Sequence, residues 1–451
     1  MIATAQSAKK PNLLNQLREA RRHTDHLFRI VRSDALYERP IAERHRLIFY
    51  LGHLEAFDWN LFRQERRSLK SFAPALDDLF AFGIDPVDGG LPTDREEDWP
   101  GVREIEGYNA KARHEVDALL ETGELEKNEE ASKIPIDTLL HVAIEHRWMH
   151  AETLAYLLHR LPYAKKAFQR QPVVVGQVFQ PNMAAVPAGR VTLGLTPEKP
   201  DAFGWDNEFE AHQLDVPGFL IDKFMVSNGE YLQFVLAGGY DDGNLWSESD
   251  WRWMRARQIR YPAFWAINGA QWAWRGMFEE VPLPLDWPVY VSHAEAHAYA
   301  RWTGKSLPSE AQWHRAAYGL PDSCERRYSW GDDERIEGRG NFDFFRWDPV
   351  PVQAFAENVS AFGIFGQLGN GWEWTSTAFA PFPGFTPFPF YPGYSANFFD
   401  GRHFVAKGGS ARTAVPLLRR SFRNWFQPHY PYVYTGFRCV SGAESQETPQ
   451  W

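Results

Sequence analysis

Residues 136–161, IDTLLHVAIEHRWMHAETLAYLLHRL, decide the fold of the N-terminal part of this chain. Their apolar side chains return every three or four positions, which predicts one long amphipathic helix. Pro135 stands where it can open this helix, and Asp137 suits the positive end of the helix dipole. The same spacing predicts three earlier helices, over residues 13–31, 41–69 (opened by Pro40) and 108–120. Four amphipathic helices bury their apolar faces most simply as a bundle.

The amino-acid composition of the chain changes at about residue 172. From there on, glycine, proline and tryptophan are frequent and the β-branched runs are short, which predicts an α+β domain with many irregular loops. Two helices are expected within it, over residues 292–302 and 309–317, whereas the proline-rich residues 381–395 are expected to form an ordered loop. The predicted fold class is α plus α+β, with domains over residues 10–165 and 172–442.

The composition limits the functions that this chain can have. Its 451 residues are too many for a single core, and 44% hydrophobic with 24% charged residues is typical of a globular protein. The formal net charge of −10 argues against a nucleic-acid partner, which needs a basic surface. Two cysteines, Cys324 and Cys439, exclude a disulfide framework. We expect a cytoplasmic protein with no membrane partner, because we find neither a spanning apolar run nor a signal peptide.

The most specific chemical feature is a pair of histidines in the fourth helix. His146 and His150 are four residues apart and so lie on one helical face, close enough to share a metal ion. His141 is turned away from that face. A third ligand must come from another helix, and His53, in the apolar second helix, is the best candidate because a buried imidazole needs a partner. Glu152 is better placed to orient a ligand than to bind the metal itself.

Two interpretations of these histidines remain open at this point. The pair could consist of surface residues and His53 could be a satisfied core histidine, since histidine pairs with this spacing are common by chance. If they do bind a metal, three imidazoles without a cysteine suit zinc, copper, nickel or ferrous iron, and the residues do not choose among them.

The arrangement of these residues resembles a known family. His53 with His146-x3-His150-x-Glu152 resembles the three-histidine signature of the DinB-like four-helix bundle in ergothioneine sulfoxide synthases. The second half resembles the C-type-lectin-like fold of formylglycine-generating enzymes, which follows the bundle in that family. The matching segments are VPAGRVTLG (186–194), FGWDNE (203–208), WPVYVSHAEAHAYARWTGKSLPSEAQWHRAA (287–317), LGNGWEWTSTAF (368–379) and KGGSARTA through FRNWF to GFRCV (407–440). They occur in the family's order and cover nearly the whole chain.

The resemblance implies a mononuclear non-haem Fe(II) enzyme with small-molecule substrates. Such an enzyme uses O₂ to join sulfur, or a heavier chalcogen, to C2 of the imidazole of hercynine (N-α-trimethylhistidine). Three neutral ligands would leave positions on the iron for O₂, the chalcogen donor and the substrate imidazole. Asn424 and Trp425 match the family positions that contact the betaine end of hercynine, and an aromatic face suits a trimethylammonium group.

The chain departs from the family pattern where the chalcogen donor is bound. Members that use γ-glutamylcysteine have an aspartate after the Asn-Trp pair, where this chain has Phe426, and arginines just beyond, where residues 427–432 have none. The loop after the second helix, which carries arginines in those members, is here the acidic stretch 83–100. A site without carboxylate clamps is not expected to prefer an amino-acid thiol. The selenoneine synthase branch, which takes a selenosugar, fits these departures best.

Two further departures concern the substrate pocket. Met149 stands before the third ligand, where the family usually has glutamine, and Phe382 matches the usual tyrosine near the PGF turn. Tyr391 and Tyr394 are close enough in sequence to replace that hydroxyl. We therefore predict that Met149, Phe382 and Phe426 contact substrates and that Tyr391 and Tyr394 are catalytic candidates.

Three alternatives compete with the selenoneine synthase hypothesis. The first is an ergothioneine sulfoxide synthase that takes cysteine or γ-glutamylcysteine, and the second is a binding protein that has lost catalysis. The third, a formylglycine-generating enzyme proper, needs two active-site cysteines near the C-terminal end of the domain. Cys439 stands alone there, with Cys324 far upstream, so we reject the third alternative.

Overall fold

The computed structural model describes residues 2–65, 69–82, 91–122, 134–169, 171–176, 180–196 and 203–442. The chain divides into two compact units between residues 169 and 170, and each unit is described by itself. The domain limits expected from the sequence, 10–165 and 172–442, stay a prediction. The expected fold class, a helical domain followed by an α+β domain, is confirmed.

The first unit is helical in its described residues. Its helices are α1 (Ile2–Ile30), α2 (Leu47–Glu65), α3 (Pro74–Phe82), α4 (Val102–Thr122) and α5 (Ile136–Arg160). Helix α1 packs on α5, and α2 packs on α3, α4 and α5. Helix α2 therefore lies at the centre of the unit, and most of its side chains from Leu47 to Phe62 are buried. Among the described residues, no helix has both the length and the apolar character needed to cross a membrane.

The second helix does not begin where the sequence predicted it. It starts at Leu47 rather than after Pro40, because residues 41–46 form a turn that tertiary contacts hold in place. The Leu47 amide donates to the carbonyl of Glu38 (3.0 Å), and the Arg46 guanidinium donates to the carbonyl of Tyr37 (2.6 Å). Helix α3 was not predicted at all, since nine residues are too few to show a clear period.

Other helix limits also differ from the prediction. Helix α1 begins at Ile2 instead of residue 13, and α4 begins at Val102 instead of residue 108. Residues 83–90 of the acidic loop after α3 lie outside the described residues. Within its described part, the only regular element is a short 3₁₀ turn over Glu96–Asp98.

The second unit contains short strands, four helices and long loops in its described residues. The strands are β1 (Met183–Val186), β2 (Gly189–Leu193), β3 (His212–Val216), β4 (Phe219–Asp222), β5 (Trp265–Asn268), β6 (Gln271–Arg275), β7 (Glu280–Pro282), β8 (Gly371–Ala378), β9 (Phe404–Gly409), β10 (Asn424–Phe426), β11 (Thr435–Gly436) and β12 (Val440–Gly442). The helices are α6 (Asn228–Leu236), α7 (Glu248–Ala256), α8 (His293–Trp302) and α9 (Glu310–Tyr318). The strands form four small sheets, with the orders β1-β4-β12, β10-β9-β8-β11, β2-β3 and β5-β6-β7.

The two helices predicted in this unit are confirmed, and each has a capped N-terminus. Ser292 accepts from the Glu295 amide at the start of α8, and Ser309 accepts from the Gln312 amide at the start of α9. Each serine thus forms a capping box with the residue three positions later, a signal that is local in sequence. Residues 381–395 form turns and loops without a helix or strand, as expected.

Candidate metal centre and substrate site

Three histidines meet inside the first unit. His53 comes from α2, and His146 and His150 come from successive turns of α5, which packs on α2. One ligand nitrogen from each of the three lies within 4.8 Å of the others. The ring centroids are 5.2 Å apart for His53 and His146, 4.8 Å for His53 and His150, and 4.4 Å for His146 and His150. His141, as expected from its position on the helix, is not part of this group.

The hydrogen bonds of the three imidazoles fit a metal ion. His53 Nδ1 lies 2.6 Å from the carbonyl oxygen of Phe80; since a carbonyl only accepts, Nδ1 carries the proton and Nε2 keeps its lone pair. The Nδ1 atoms of His146 and His150 are buried without a hydrogen-bond partner in the described structure. Buried polar atoms are rarely left unpaired, so this set of nitrogens is suited to ligation.

The electrostatics of the site favour the form of histidine that binds metals. Burial lowers the pKa of His53 to about 4, and burial lowers the pKa values of His146 and His150 well below the ordinary value. All three imidazoles are therefore neutral near pH 7. Neutral imidazole is the ligand form, so no proton has to leave before a metal binds.

Aromatic rings fix the orientation of these imidazoles. Phe57 stacks on His146 with centroids 3.4 Å apart, and Phe49 stacks on His53 at 4.7 Å. The Tyr50 ring lies 5.8 Å from that of His150. On α5, Met149 is half-buried and Glu152 is buried. The predicted roles of Met149 toward a substrate and of Glu152 toward a ligand stay predictions.

A buried charge network that the sequence analysis did not identify connects α5 to α2 next to the histidines. The Arg147 guanidinium donates to Glu55 (2.9 Å), to Asp58 (2.8 Å) and to the carbonyl of Leu54 (2.8 Å). Arg21 lies 3.7 Å from Glu55 and 3.6 Å from Asp58. Burial opposes the ionisation of Glu55, but the surrounding arginines lower its pKa to about 2. The sequence feature that could have indicated this network is the presence of charged residues on otherwise apolar faces of α2 and α5.

In the second unit, aromatic rings gather around Trp425 on the edge strand β10. The Phe379 ring stacks on the Trp425 ring with centroids 4.2 Å apart, and the Tyr394 ring contacts Trp425 edge to face with centroids 5.5 Å apart. Tyr394 also stacks on Trp205 at 4.0 Å. We call these residues, with Phe398 at 5.6 Å from Trp425, the Trp425 cluster. It brings together two predicted site residues, Trp425 and Tyr394, and Tyr391 lies next to them, 5.5 Å from Tyr394.

The half-buried Asn424 precedes Trp425 on β10, and its Oδ1 accepts from the Trp425 amide (3.0 Å). Phe382, in contrast, lies in the hydrophobic core among Val191, Ile221 and their neighbours, and is only 7% exposed. The Arg423 guanidinium covers its ring at 4.0 Å. The structure thus keeps Phe382 in the core and outside the Trp425 cluster, because its apolar ring completes the packing there. Its predicted contact with a substrate stays a prediction.

A polar network holds the loop that carries Tyr391 and Tyr394. The Ser395 hydroxyl donates to Asp206 Oδ1 (2.5 Å) and accepts from the Asn207 side-chain amide (3.0 Å). Glu208 binds Arg419 (2.5 Å) and accepts from the Ser421 hydroxyl (2.6 Å). The FGWDNE segment therefore fastens the tyrosine loop and the chain leading to β10. The motif by itself did not indicate this role, because its partners lie about 190 to 210 residues later in the chain.

Phe426, at the end of β10, and the residues that follow it are packed against their own unit. The Phe426 ring packs edge to face against Trp374, with centroids 6.2 Å apart, and is stacked on Tyr430, with centroids 6.1 Å apart. His429 is the single basic residue in 427–432, and its Nε2 lies 2.7 Å from Asp250 Oδ1 while its ring stacks on Trp253 at 4.6 Å. This imidazole is therefore already paired with a carboxylate of its own chain.

The fold and the sites define the class of protein. It joins a helical unit, in which three clustered histidines could hold one metal ion, to an α+β unit with an aromatic site. Residues 16–154 match the DinB superfamily, and residues 170–443 match the sulfatase-modifying factor enzyme 1-like domain. The chain belongs to the ergothioneine sulfoxide synthase family, which combines these two domains.

Curated relatives agree with this membership. The hercynine oxygenase of Mycobacterium tuberculosis is 39% identical over 237 residues, which are 52% of this chain and 55% of the relative. The hercynine oxygenase of Mycolicibacterium smegmatis is 34% identical over 309 residues, 66% of this chain and 70% of the relative. Ergothioneine biosynthesis protein 1 of Neurospora crassa is 26% identical over 505 aligned positions, 90% of this chain and 55% of the relative. The alignments thus span about half of two of these relatives.

Proposed function

We propose that this chain is a non-haem Fe(II) enzyme that uses O₂ to form a carbon–chalcogen bond at C2 of the hercynine imidazole. The observation that carries the proposal is the cluster of three neutral histidines, two of them buried and His150 half-buried, in a chain with hercynine oxygenases among its relatives. His53, His146 and His150 would hold the iron. When bound, the iron would supply open coordination positions and the redox chemistry of O₂ activation.

The proposed reaction balances with a single O₂. Joining imidazole C2–H to a selenol Se–H releases two electrons and two protons as the C–Se bond forms. Oxygenation of the selenium supplies the other two electrons that O₂ requires, so the products are a selenoxide and one water. If the selenium leaves unoxidised, two more electrons must come from an added reductant.

The side chains of the second unit would bind and orient hercynine. The Trp425 face would hold the trimethylammonium group, which has no hydrogen to donate and is attracted to aromatic faces. Asn424 would contact the same betaine end. The hydroxyl of Tyr394 or Tyr391 would hold or deliver a proton, and we favour Tyr394 because its ring contacts Trp425 at 5.5 Å.

Replacing Trp425 or Asn424 with alanine is expected to raise the KM for hercynine about tenfold or more. A desolvated cation–π contact with Trp425 is worth about 2 kcal/mol, and a hydrogen bond from the Asn424 amide to the charged carboxylate about 1.5–3 kcal/mol. The KM for the chalcogen donor is expected to change less. Steady-state kinetics with each substrate varied in turn would measure both values. Trp302→Ala, on α8 and 38% exposed, is the matched control and should leave both KM values unchanged. A rise confined to the donor's KM would reverse our assignment of the two substrates.

We propose a selenosugar as the chalcogen donor, because the donor positions lack carboxylate clamps. At the position of Phe426, family members that use a thiol donor have an aspartate. His429 is paired with Asp250 and is thus a poor partner for a substrate carboxylate. A carboxylate bound in a dry site without a cation is left desolvated, which is costly. A sugar avoids that cost because its hydroxyls can bond to backbone and tyrosine groups.

We expect the selenosugar to be used at least about tenfold more efficiently than γ-glutamylcysteine. Each missing charge-assisted hydrogen bond removes roughly 1.5–3 kcal/mol of binding free energy, which lowers the affinity about 10- to 100-fold. The measurement is kcat/KM for each donor with Fe(II)-loaded protein, hercynine and air, read by mass spectrometry. Equal efficiencies, or a preference for the peptide, would contradict the selenium assignment and leave the iron site untouched.

The names of the relatives favour one alternative, an ergothioneine sulfoxide synthase that uses cysteine or γ-glutamylcysteine. The same donor comparison decides between the two. A binding protein without catalysis is the remaining alternative. Stoichiometric iron in the purified protein, together with hercynine-dependent O₂ consumption, would exclude it.

A further inference from the structure

The last turn of α3 touches the metal centre at one point. The carbonyl of Phe80 accepts a hydrogen bond from His53 Nδ1 at 2.6 Å. Helix α3 ends at Phe82, so this carbonyl belongs to the final four, which have no partner inside the helix. Carbonyls at a helix C-terminus also carry the negative end of the helix dipole. The Phe80 carbonyl is thus both available to His53 and a good acceptor.

Gly52 allows Phe80 to pack closely against α2. Gly52 precedes His53 on α2, and a Cβ placed on it would lie 2.5 Å from three atoms of the Phe80 ring, far inside van der Waals contact. The Phe80 ring is fully buried and lies beside the rings of Trp99 and Tyr108, with centroids 6.5 and 5.9 Å away, so it can move only against packed neighbours. Glycine in the middle of a helix is unfavourable by itself. Its presence here is explained by the close packing of Phe80 against α2.

Three other contacts anchor α3 independently of Phe80. Asp77 Oδ1 accepts from the Tyr108 hydroxyl (2.7 Å), and Asp77 Oδ2 accepts from Trp59 Nε1 (3.3 Å). The Asn60 side chain donates to the Asp77 carbonyl (3.0 Å). These contacts dock α3 one turn before Phe80. The last turn, which holds the Phe80 carbonyl, is positioned by the space that Gly52 leaves for the Phe80 ring.

We propose that Gly52 and Phe80 are positioning residues that hold His53 in the Nδ1–H tautomer, with Nε2 directed to the metal. Partners of this kind fix the orientation of a ligating imidazole and raise its basicity, and their loss typically weakens metal binding 10- to 100-fold. This inference rests on the metal site of the proposed function, but it does not depend on the substrates or on catalysis.

The first test uses the metal-free wild-type protein. Long-range ¹H–¹⁵N correlation spectra report which ring nitrogen of each histidine carries the proton, with His53→Gln used to assign the signal. We expect His53 to be the Nδ1–H tautomer. Protonation at Nε2 in the folded protein would overturn the proposal, whatever any variant does.

The second test compares two glycine variants of the same unit. In Gly52→Ala the Phe80 ring is pushed away, and we expect anaerobic Co(II) titration to show binding weakened 10- to 100-fold, with a mixed His53 tautomer. Gly107→Ala, on α4, is the matched control because a Cβ there meets nothing within 4 Å. Its Co(II) affinity should equal that of the wild type.

Thermal unfolding without metal separates positioning from simple destabilisation. A Gly52→Ala protein that melts earlier but keeps the Nδ1–H tautomer and wild-type Co(II) affinity would overturn the proposal. If the wild type itself binds no Co(II), the metal site fails and this inference fails with it. If the wild type binds Co(II) while Gly52→Ala binds it equally well, only the positioning role fails.

Discussion

Replacing His150 with alanine is expected to weaken metal binding by about two to three decades and to reduce turnover to background. Zinc sites of four protein ligands gain roughly 10–16 kcal/mol on metal binding, so one ligand accounts for about 2.5–4 kcal/mol. His150 is half-buried and its Nδ1 has no hydrogen-bond partner in the described structure. Its loss should therefore change the free energy of unfolding of the metal-free protein only slightly.

The measurement is iron content after gel filtration, together with hercynine-dependent O₂ consumption. His141→Ala is the matched control, since His141 is a half-buried histidine of the same helix that lies outside the three-histidine group. It should keep the wild-type iron content and rate. The same loss is expected for His53→Ala and His146→Ala. Full iron content and activity in His150→Ala would rule out this ligand set.

Replacing Arg147 with methionine is expected to destabilise the first unit by about 3–5 kcal/mol, because it leaves the buried Asp58 carboxylate without its main partner. Arg147 is 1% exposed and bonds to both Glu55 and Asp58. Burial already raises the pKa of Asp58 above its ordinary value, so this carboxyl should take up a proton when Arg147 is removed. The remaining neighbour, Arg21, lies farther away, at 3.6 Å from Asp58.

Urea unfolding of the metal-free protein, followed by helical circular dichroism, would measure this loss. Arg18→Met is the matched control, because Arg18 makes ion pairs in the same unit but its side chain is 40% exposed. Exposed pairs contribute about 0–1 kcal/mol, so this variant should unfold close to the wild type. Equal midpoints for the two variants would contradict a structural role for the buried network.

Much of the candidate metal site could be predicted from the sequence, because its signals are local. The spacing of His146 and His150 places both on one face of a helix whatever surrounds it. His53 could be chosen because an imidazole in an apolar helix needs a partner. The amphipathic pattern of residues 292–302 and 309–317 predicted α8 and α9 for the same reason, and the structure adds a capping box at the start of each, between groups three residues apart.

The functional expectations depended on longer motifs rather than on periodicity. The FRNWF segment identified Asn424 and Trp425, and the structure brings Trp425 together with Tyr394 from a loop about thirty residues earlier. The identity of the donor and the roles of Tyr391, Phe426 and Met149 stay predictions. They depend on which groups surround a bound substrate, and sequence spacing does not encode that.

The sequence by itself thus determined the two fold classes, the helix that carries two candidate ligands and the third candidate, His53. Only the tertiary structure decided that α2 begins at Leu47, that α3 exists, that Phe382 lies in the core and that Phe80 bonds to His53. Helical period and capping involve neighbours within one or two turns, so they can be recognised in a single segment. The His53–Phe80 bond joins residues 27 apart, and Arg147 meets Glu55 across 92 positions. Such contacts are set by the packing of whole helices against one another, which no single segment specifies.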